Sequence, residues 1–304
     1  MPQKSTIGRS VALGSLRAGF AAAKVISPGL AAAGAARLFL STRRHPMPAR
    51  ERAHLQAARR VDLASEHGPL AVRVWGEEER ASTVALLHGW EGRASQLGAF
   101  APPLVEAGFR VVGLDAPGHG DSPGRRSSLV AMAGALRALG RRFGPFAGIV
   151  AHSAGSAAAV HALTRGLAAG RLVVVAPGVD LEGYAHGFAR LFGLSDAVRQ
   201  GMQRRIERDL GVSWRELDPR RAPAEVRVPL LVVHDRGDRE APFAEGEALA
   251  RSWPGARLFA TEGLGHTRIL WDEKVVSAAT AFLQEGLRVQ QAEVADSKEP
   301  VMVG

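Results

Sequence analysis

Ser153 stands in Ile149-Val-Ala-His-Ser-Ala-Gly-Ser156, an apolar run that enters a small-residue turn and then a helical stretch. A serine hydroxyl is a weak nucleophile and must be held where a base can reach it. A strand–turn–helix elbow does this if residues 151 and 155 are small enough for the backbones to pass. Gly155 fits, and so does Ala151, although the usual pattern has glycine in both places. The plainer alternative is a serine that only caps the helix beginning at residue 154.

Three further segments carry groups that such a serine would need. In Leu86-Leu-His-Gly-Trp-Glu-Gly-Arg93 a loop follows a strand directly. Acyl transfer builds negative charge on a carbonyl oxygen, and preorganised backbone N–H groups stabilise it. The N–H groups of Trp90 and Ala154 are the candidates. His88 follows its strand too closely to serve as a base and reads as a brace for the loop. In Leu231-Val-Val-His-Asp-Arg-Gly-Asp-Arg-Glu-Ala-Pro242, Asp238 is the preferred carboxylate to orient a histidine and stabilise its imidazolium, with Asp235 and Asp180 as alternatives. In Gly263-Leu-Gly-His-Thr-Arg268, His266 sits on a glycine-rich loop after the last strand and is the candidate general base. His119, Asp121 and Ser122 fall within four residues on one turn, too close to converge, and read as loop hydrogen-bonding groups. His152 points away from Ser153 if its strand alternates normally.

From residue 60 onwards, short β-branched runs alternate with longer helical stretches, the rhythm of a mostly parallel sheet flanked by helices. Strands are expected at 70–75, 84–88, 110–115, 148–152, 172–176, 230–235 and 257–261, and helices near 96–107, 127–142, 154–168, 243–252 and 274–286. Ser153, Asp238 and His266 then lie on three strand-end loops, in the chain order of one known fold. The interval between Ala176 and Leu230 breaks the rhythm. Tyr184, Phe188 and Leu191, then Val198, Met202, Ile206 and Leu210, recur at helical spacing. A helical lid insertion over residues 178–226 is expected at the carboxyl ends of the strands, where open α/β sheets place their sites. Tyr184 and Phe188 are candidates to line an acyl pocket, with packing on the body as the default.

The 304 residues are 46% hydrophobic and 23% charged, enough for a large core and too apolar for disorder. With no cysteine, disulfide scaffolds, zinc–thiolate sites and cysteine nucleophiles are excluded. The net charge of +9 is not spread evenly. Residues 1–50 carry eight Lys or Arg and no acid, so the remaining 254 residues balance 31 basic against 30 acidic groups. A nucleic-acid binder should cluster its basic groups on the folded part, so no nucleic-acid partner is expected. In the basic segment the longest uncharged stretch, Val25 to Ala36, is far short of the roughly 20 residues that span a bilayer. Two short helices broken at Pro28 are expected. Three readings stay open: helices docked on the body, contact of residues 1–45 with a membrane surface, or a cleaved targeting segment. The domain reading is therefore a basic helical segment at 1–50, a catalytic domain at 60–287 and a flexible tail at 288–304. The expected location is the cytoplasm, with peripheral membrane contact as the alternative.

The chain resembles the α/β-hydrolase superfamily over about residues 60–287. The resemblance rests on the Ala-His-Ser-Ala-Gly elbow, the His-Gly-Trp loop, Asp115-Ala-Pro-Gly-His-Gly-Asp-Ser-Pro-Gly124, Asp238 and Gly-His266. The stretch from His88 to Gly124 is similar to the serine aminopeptidase and monoglyceride-lipase-like branch, which includes esterases, lysophospholipases and thioesterases. Haloalkane dehalogenases and epoxide hydrolases of this fold have an aspartate at the nucleophile position, and Ser153 argues against both. The resemblance implies an α/β-hydrolase fold and a Ser153–His266–Asp238 serine hydrolase acting on a small-molecule acyl substrate, without metal or organic cofactor. A carboxylic ester or thioester is the first expectation. Peptidase action on an N-terminal residue is the second, with Glu91 or Asp180 as the acid that would bind the free amine. A non-enzymatic binding protein is the third.

Overall fold

The computed structural model of the protein describes residues 3–66, 68–76, 82–222 and 226–296. Its helices are α1 (Gln3–Ile26), α2 (Pro28–Phe39), α3 (Ala49–Gln56), α4 (Ala101–Glu106), α5 (Leu129–Phe143), α6 (Ala154–Thr164), α7 (Leu181–Phe192), α8 (Asp196–Leu210), α9 (Phe243–Ser252), α10 (Gly265–Arg268) and α11 (Glu273–Asp296). The strands are β1 (Arg59–Leu63), β2 (Leu70–Trp75), β3 (Thr83–Leu87), β4 (Arg110–Leu114), β5 (Phe146–His152), β6 (Leu172–Val175), β7 (Leu230–Asp235) and β8 (Arg257–Thr261). The chain divides into two compact units, Met1–Ser41 with Asp180–Asp218, and Thr42–Val179 with Pro219–Gly304.

The larger unit is an eight-stranded sheet in the order β1-β2-β4-β3-β5-β6-β7-β8. The β1–β2 and β2–β4 pairs are antiparallel, and every later pair is parallel. The sequences of the central strands follow from that position. Thr-Val-Ala-Leu-Leu in β3, Leu-Val-Val-Val in β6 and Leu-Leu-Val-Val-His-Asp in β7 are buried throughout, as strands covered on both faces must be. Helix α5 turns Met132, Leu136 and Leu139 inward at helical spacing, and its Ser128 cap accepts a hydrogen bond from the Ala131 N–H.

Three features depart from the sequence-based expectation. Strand β1 was not anticipated, because Arg-Arg-Val-Asp-Leu is polar and largely exposed on the edge of the sheet. The division of the chain falls after Ser41 rather than at residue 50. Residues 42–58 belong to the sheet unit: Thr42 donates to Gly118 O at 2.7 Å, Arg44 donates to the carbonyls of Gly120, Ser122 and Gly124, and buried Glu51 accepts from Ser95 Oγ at 2.8 Å. Helix α11 also continues to Asp296, past the expected end near 286 and through the first part of the stretch read as a flexible tail. Residues 287–296 contain no glycine or proline and are mostly good helix formers, so nothing stops the helix there.

In the smaller unit, α2 buries Ala31, Ala32, Ala35 and Ala36, and it packs against α8. A methyl group at Gly201 would lie 3.0 Å from Ala32 Cβ, so the two backbones approach closely. An aromatic cluster ties the same segments together. Phe39 meets Phe188 edge-on at 5.2 Å and stacks on Trp214 at 5.7 Å, and Phe188 packs against Phe192 at 4.6 Å. Helix α1 joins through Phe20 against Phe192 and through Arg17 Nε, which donates to Leu191 O at 2.8 Å. No helix among the described residues is long and apolar enough to cross a membrane.

Candidate active site

Ser153 follows β5 and opens α6 with φ at +51° and ψ at −124°. A non-glycine residue in this region is strained and persists only where its surroundings hold it. The holding contacts are specific. Ser153 N–H donates to Val175 O at 3.0 Å, and Gly155 lies so close to the β3 loop that a Cβ there would sit 2.4 Å from His88 O and 2.8 Å from Leu87 O. On the other side, a Cβ at Gly89 would meet Ser153 Cβ at 2.9 Å. The His-Gly loop and the elbow are therefore pressed together through two glycines.

His266 Nε2 lies 3.0 Å from Ser153 Oγ, and its Nδ1 lies 2.8 Å from Asp238 Oδ2. Because Nδ1 faces a carboxylate, it carries the proton, which leaves Nε2 as the acceptor for the serine hydroxyl. Asp238 is buried. Burial alone would raise its carboxyl, but hydrogen bonds from His234, His266 and the N–H groups of Glu240 and Ala241 outweigh it and hold the group well below the usual carboxylate range. Asp235, the alternative acid, faces the loop instead. Its Oδ2 accepts from Thr261 Oγ1 at 2.8 Å and Leu264 N at 2.9 Å, which anchors the segment carrying His266. Asp180 accepts from Gly183 N and caps α7.

His152 has a partner that strand alternation does not reveal. It packs 4.7 Å from the His266 ring, and Nε2 donates to His266 O at 3.0 Å, so it holds the histidine in place from behind. Burial, followed by the positive charge that His266 can carry, pushes His152 down to about 3, so it stays neutral. His234 was also passed over, although it stands four residues before Asp238. It is fully buried, with Nε2 3.0 Å from Ala241 O and 3.3 Å from Asp238 Oδ2.

His88 is buried and pushed down to about 4, chiefly by desolvation. Its Nδ1–H donates to Gly89 O at 2.6 Å, while Nε2 accepts from Ala116 N at 3.0 Å, so it links the loops after β3 and β4. Trp90 packs edge-on against His119 at 5.4 Å. Ala154 N–H lies in the first turn of α6, where a helix has no acceptor of its own for it. Ser122 Oγ donates to Asp115 O and accepts from Ala71 N, while Asp121 pairs with Arg73, so that turn is occupied in holding itself together.

The candidates for substrate contact fare differently. Glu91 is not left free for a substrate amine: Oε1 accepts from Arg43 N at 3.1 Å, and Oε2 pairs with His45 Nε2 at 3.0 Å. Phe188 is engaged in the aromatic cluster of the smaller unit, and Tyr184 on the same helix is partly exposed.

The family model for serine aminopeptidase, S33, matches residues 78–218, and that for TAP-like protein matches residues 212–294. The chain belongs to the α/β-hydrolase superfamily. The hydrolase is 23% identical over 240 residues to the AB hydrolase superfamily protein YisY of Bacillus subtilis, covering 65% of this chain and 90% of that protein. It is 38% identical over 58 residues to a serine hydrolase-like protein of Dictyostelium discoideum, a match that spans only 19% of this chain and 16% of that relative. Among solved structures, a thermophilic esterase from Thermogutta terrifontis shares the fold with a TM-score of 0.55 at 18% identity, over 75% of this hydrolase and 99% of the esterase chain.

Proposed function

We propose that this hydrolase cleaves a carboxylic ester or thioester of a small molecule through an acyl-enzyme on Ser153. The observation that carries the reading is the unbroken hydrogen-bonded path from Ser153 Oγ through His266 to Asp238, starting at a strained elbow. His266 Nε2 takes the hydroxyl proton as Oγ attacks the acyl carbon, and Asp238 stabilises the imidazolium that forms. The N–H groups of Trp90 and Ala154 receive the oxyanion. His266 then gives its proton to the leaving alcohol or thiol, and water clears the acyl group by the same steps in reverse roles.

Aminopeptidase action is the second reading, favoured by the serine aminopeptidase family model over residues 78–218. The engagement of Glu91 by Arg43 and His45 weighs against it, since that carboxylate was the candidate for the free amine. Labelling by a fluorophosphonate probe tests the class. Native protein is expected to label, and Ser153→Ala is expected to lose labelling and at least about 10³-fold in turnover. A folded native protein that resists the probe overturns the reading. A panel of p-nitrophenyl esters beside aminoacyl anilides then ranks esterase against peptidase.

A peripheral lipid contact belongs to the same proposal. It is supported by Val25, Ile26 and Leu30, which are 88%, 77% and 59% exposed where α1 meets α2 in the acid-free segment.

A further inference from the structure

His234 lies near the end of β7 with no exposure to solvent, and both groups within reach of its Nε2 are acceptors. The nitrogen must therefore carry a proton and share it between Ala241 O and Asp238 Oδ2. That oxygen is the one His266 Nδ1 also uses, at 2.8 Å. The second carboxylate oxygen, Oδ1, accepts from Glu240 N at 2.8 Å and Ala241 N at 3.1 Å. Asp238 is thus fixed by backbone on one oxygen and divided between two imidazoles on the other.

The ring has a seat made for it. Gly246 lies inside α9, where glycine is a poor choice for a helix, and a Cβ there would stand 2.3 Å from His234 Nδ1 and 3.1 Å from its Cγ. Phe243, one turn earlier on the same helix, closes the slot edge-on at 5.6 Å. Nδ1 itself is buried with no hydrogen-bond partner. An apolar side chain would fill this slot without leaving a buried polar atom unpaired. The imidazole therefore gains its place only through what Nε2 does.

We propose that His234 is a positioning residue for Asp238, admitted by the notch at Gly246, and that it divides the carboxylate's hold on His266. This rests on reading Ser153, His266 and Asp238 as the reacting set. Without His234, Asp238 Oδ2 has one donor fewer, so the carboxylate turns more freely and draws the His266 Nδ1 proton more strongly. The other titratable groups around the cluster have separate partners. His152 from β5 bonds to His266 O, Asp235 on β7 faces Thr261 and Leu264, and Glu245 on α9 accepts from Val179 N.

The test uses the full-length protein with His234→Leu, His234→Gln and Gly246→Ala, assayed for kcat, KM and pH dependence on a p-nitrophenyl ester. His234→Leu is expected to lose about tenfold in kcat, the worth of one hydrogen bond to a charged group. KM should change little, and the acid limb of kcat/KM should move to higher pH. Gly246→Ala should move both readouts the same way by displacing the ring. His234→Gln, which keeps a donor near the position of Nε2, should recover most of the rate and return the limb. Equal impairment of the Leu and Gln variants with an unmoved limb means that the ring only fills space, and the inference fails. If the Leu variant does not fold, Gly246→Ala against His234→Gln decides the matter by the same limb. If native protein hydrolyses no ester, the functional reading falls on its own. The inference is then read from the downfield His266 Nδ1 proton resonance, which must shift between native protein and the His234 variant.

Discussion

Histidine does two opposite jobs within a few ångströms here. In the proposed mechanism His266 exchanges protons, whereas His88, His119 and His152 are locked neutral. Desolvation leads in each case and pushes them down to about 4, 3 and 3. Their neutrality has a stability consequence. An unfolded histidine takes up a proton near pH 6.5, but these three refuse it until the pH is far lower. Their contribution is thus complete above about pH 6.5 and is lost as the pH falls towards 4, with the unfolded chain binding the extra protons. Each histidine removes on the order of 1.4 kcal/mol per pH unit within that window. Asp115 runs the other way, because desolvation raises its carboxyl, so the folded state takes its proton before the unfolded chain does and part of the loss is offset. The urea midpoint should therefore fall between pH 7 and pH 5, with up to about three protons taken up on unfolding, fewer by any that Asp115 already holds in the folded state. A midpoint that stays constant over that interval contradicts the burial of these three rings.

At the scale of elements, α1 and α2 derive their packing from α7 and α8, although some 140 residues separate the two pairs in the chain. The contact between α2 and α8 is made by small side chains, with Ala35 wholly buried and Ala32 against Gly201. Ala35→Leu should overpack it and destabilise the unit by about 1–3 kcal/mol. Limited proteolysis should then cut residues 3–41 and 181–210 together at a lower temperature than in native protein. Cleavage confined to the first segment would show that the two pairs do not share a core. None of this pairing was legible in the sequence. Helical spacing picked out Val198, Met202, Ile206 and Leu210, of which the first three are buried, but which helix would cover them depends on contacts between distant segments. What could be read was local. The central strands announced themselves as continuous β-branched runs, and the elbow, the His-Gly loop, Asp238 and His266 as short motifs at strand ends. Strand β1 and helix α3 were missed because an exposed edge strand and the polar Ala-Arg-Glu-Arg-Ala-His-Leu-Gln carry no apolar period. His152 and His234 were missed for a different reason. Their roles lie in which neighbour each ring nitrogen faces, and residue type alone does not say.

For the whole molecule, the first fifty residues carry eight of the nine units of net positive charge, and α1 and α2 form most of that segment. The helices α1 and α2 turn at Ser27-Pro28, where Val25, Ile26 and Leu30 are left in solvent. Isolated exposed apolar residues need no explanation. These three are grouped at one turn beside Lys24, in a stretch without a single acid, which is the combination that partitions to the headgroup region of an anionic bilayer. Neither part suffices alone. Apolar groups at a tip give a weak, salt-independent attraction, and the basic residues give one that salt removes. Full-length protein should therefore sediment with vesicles of phosphatidylcholine mixed with phosphatidylglycerol, more weakly with phosphatidylcholine alone, and less as salt is raised. Val25→Glu with Ile26→Glu should abolish sedimentation while leaving ester hydrolysis in solution unchanged, because both side chains are largely exposed to solvent. Protein that stays in the supernatant with anionic vesicles, or a double variant that still sediments, removes the lipid surface as the partner of this tip. Self-association of the native protein that disappears in the same variant would instead identify a second copy of the chain as what covers it.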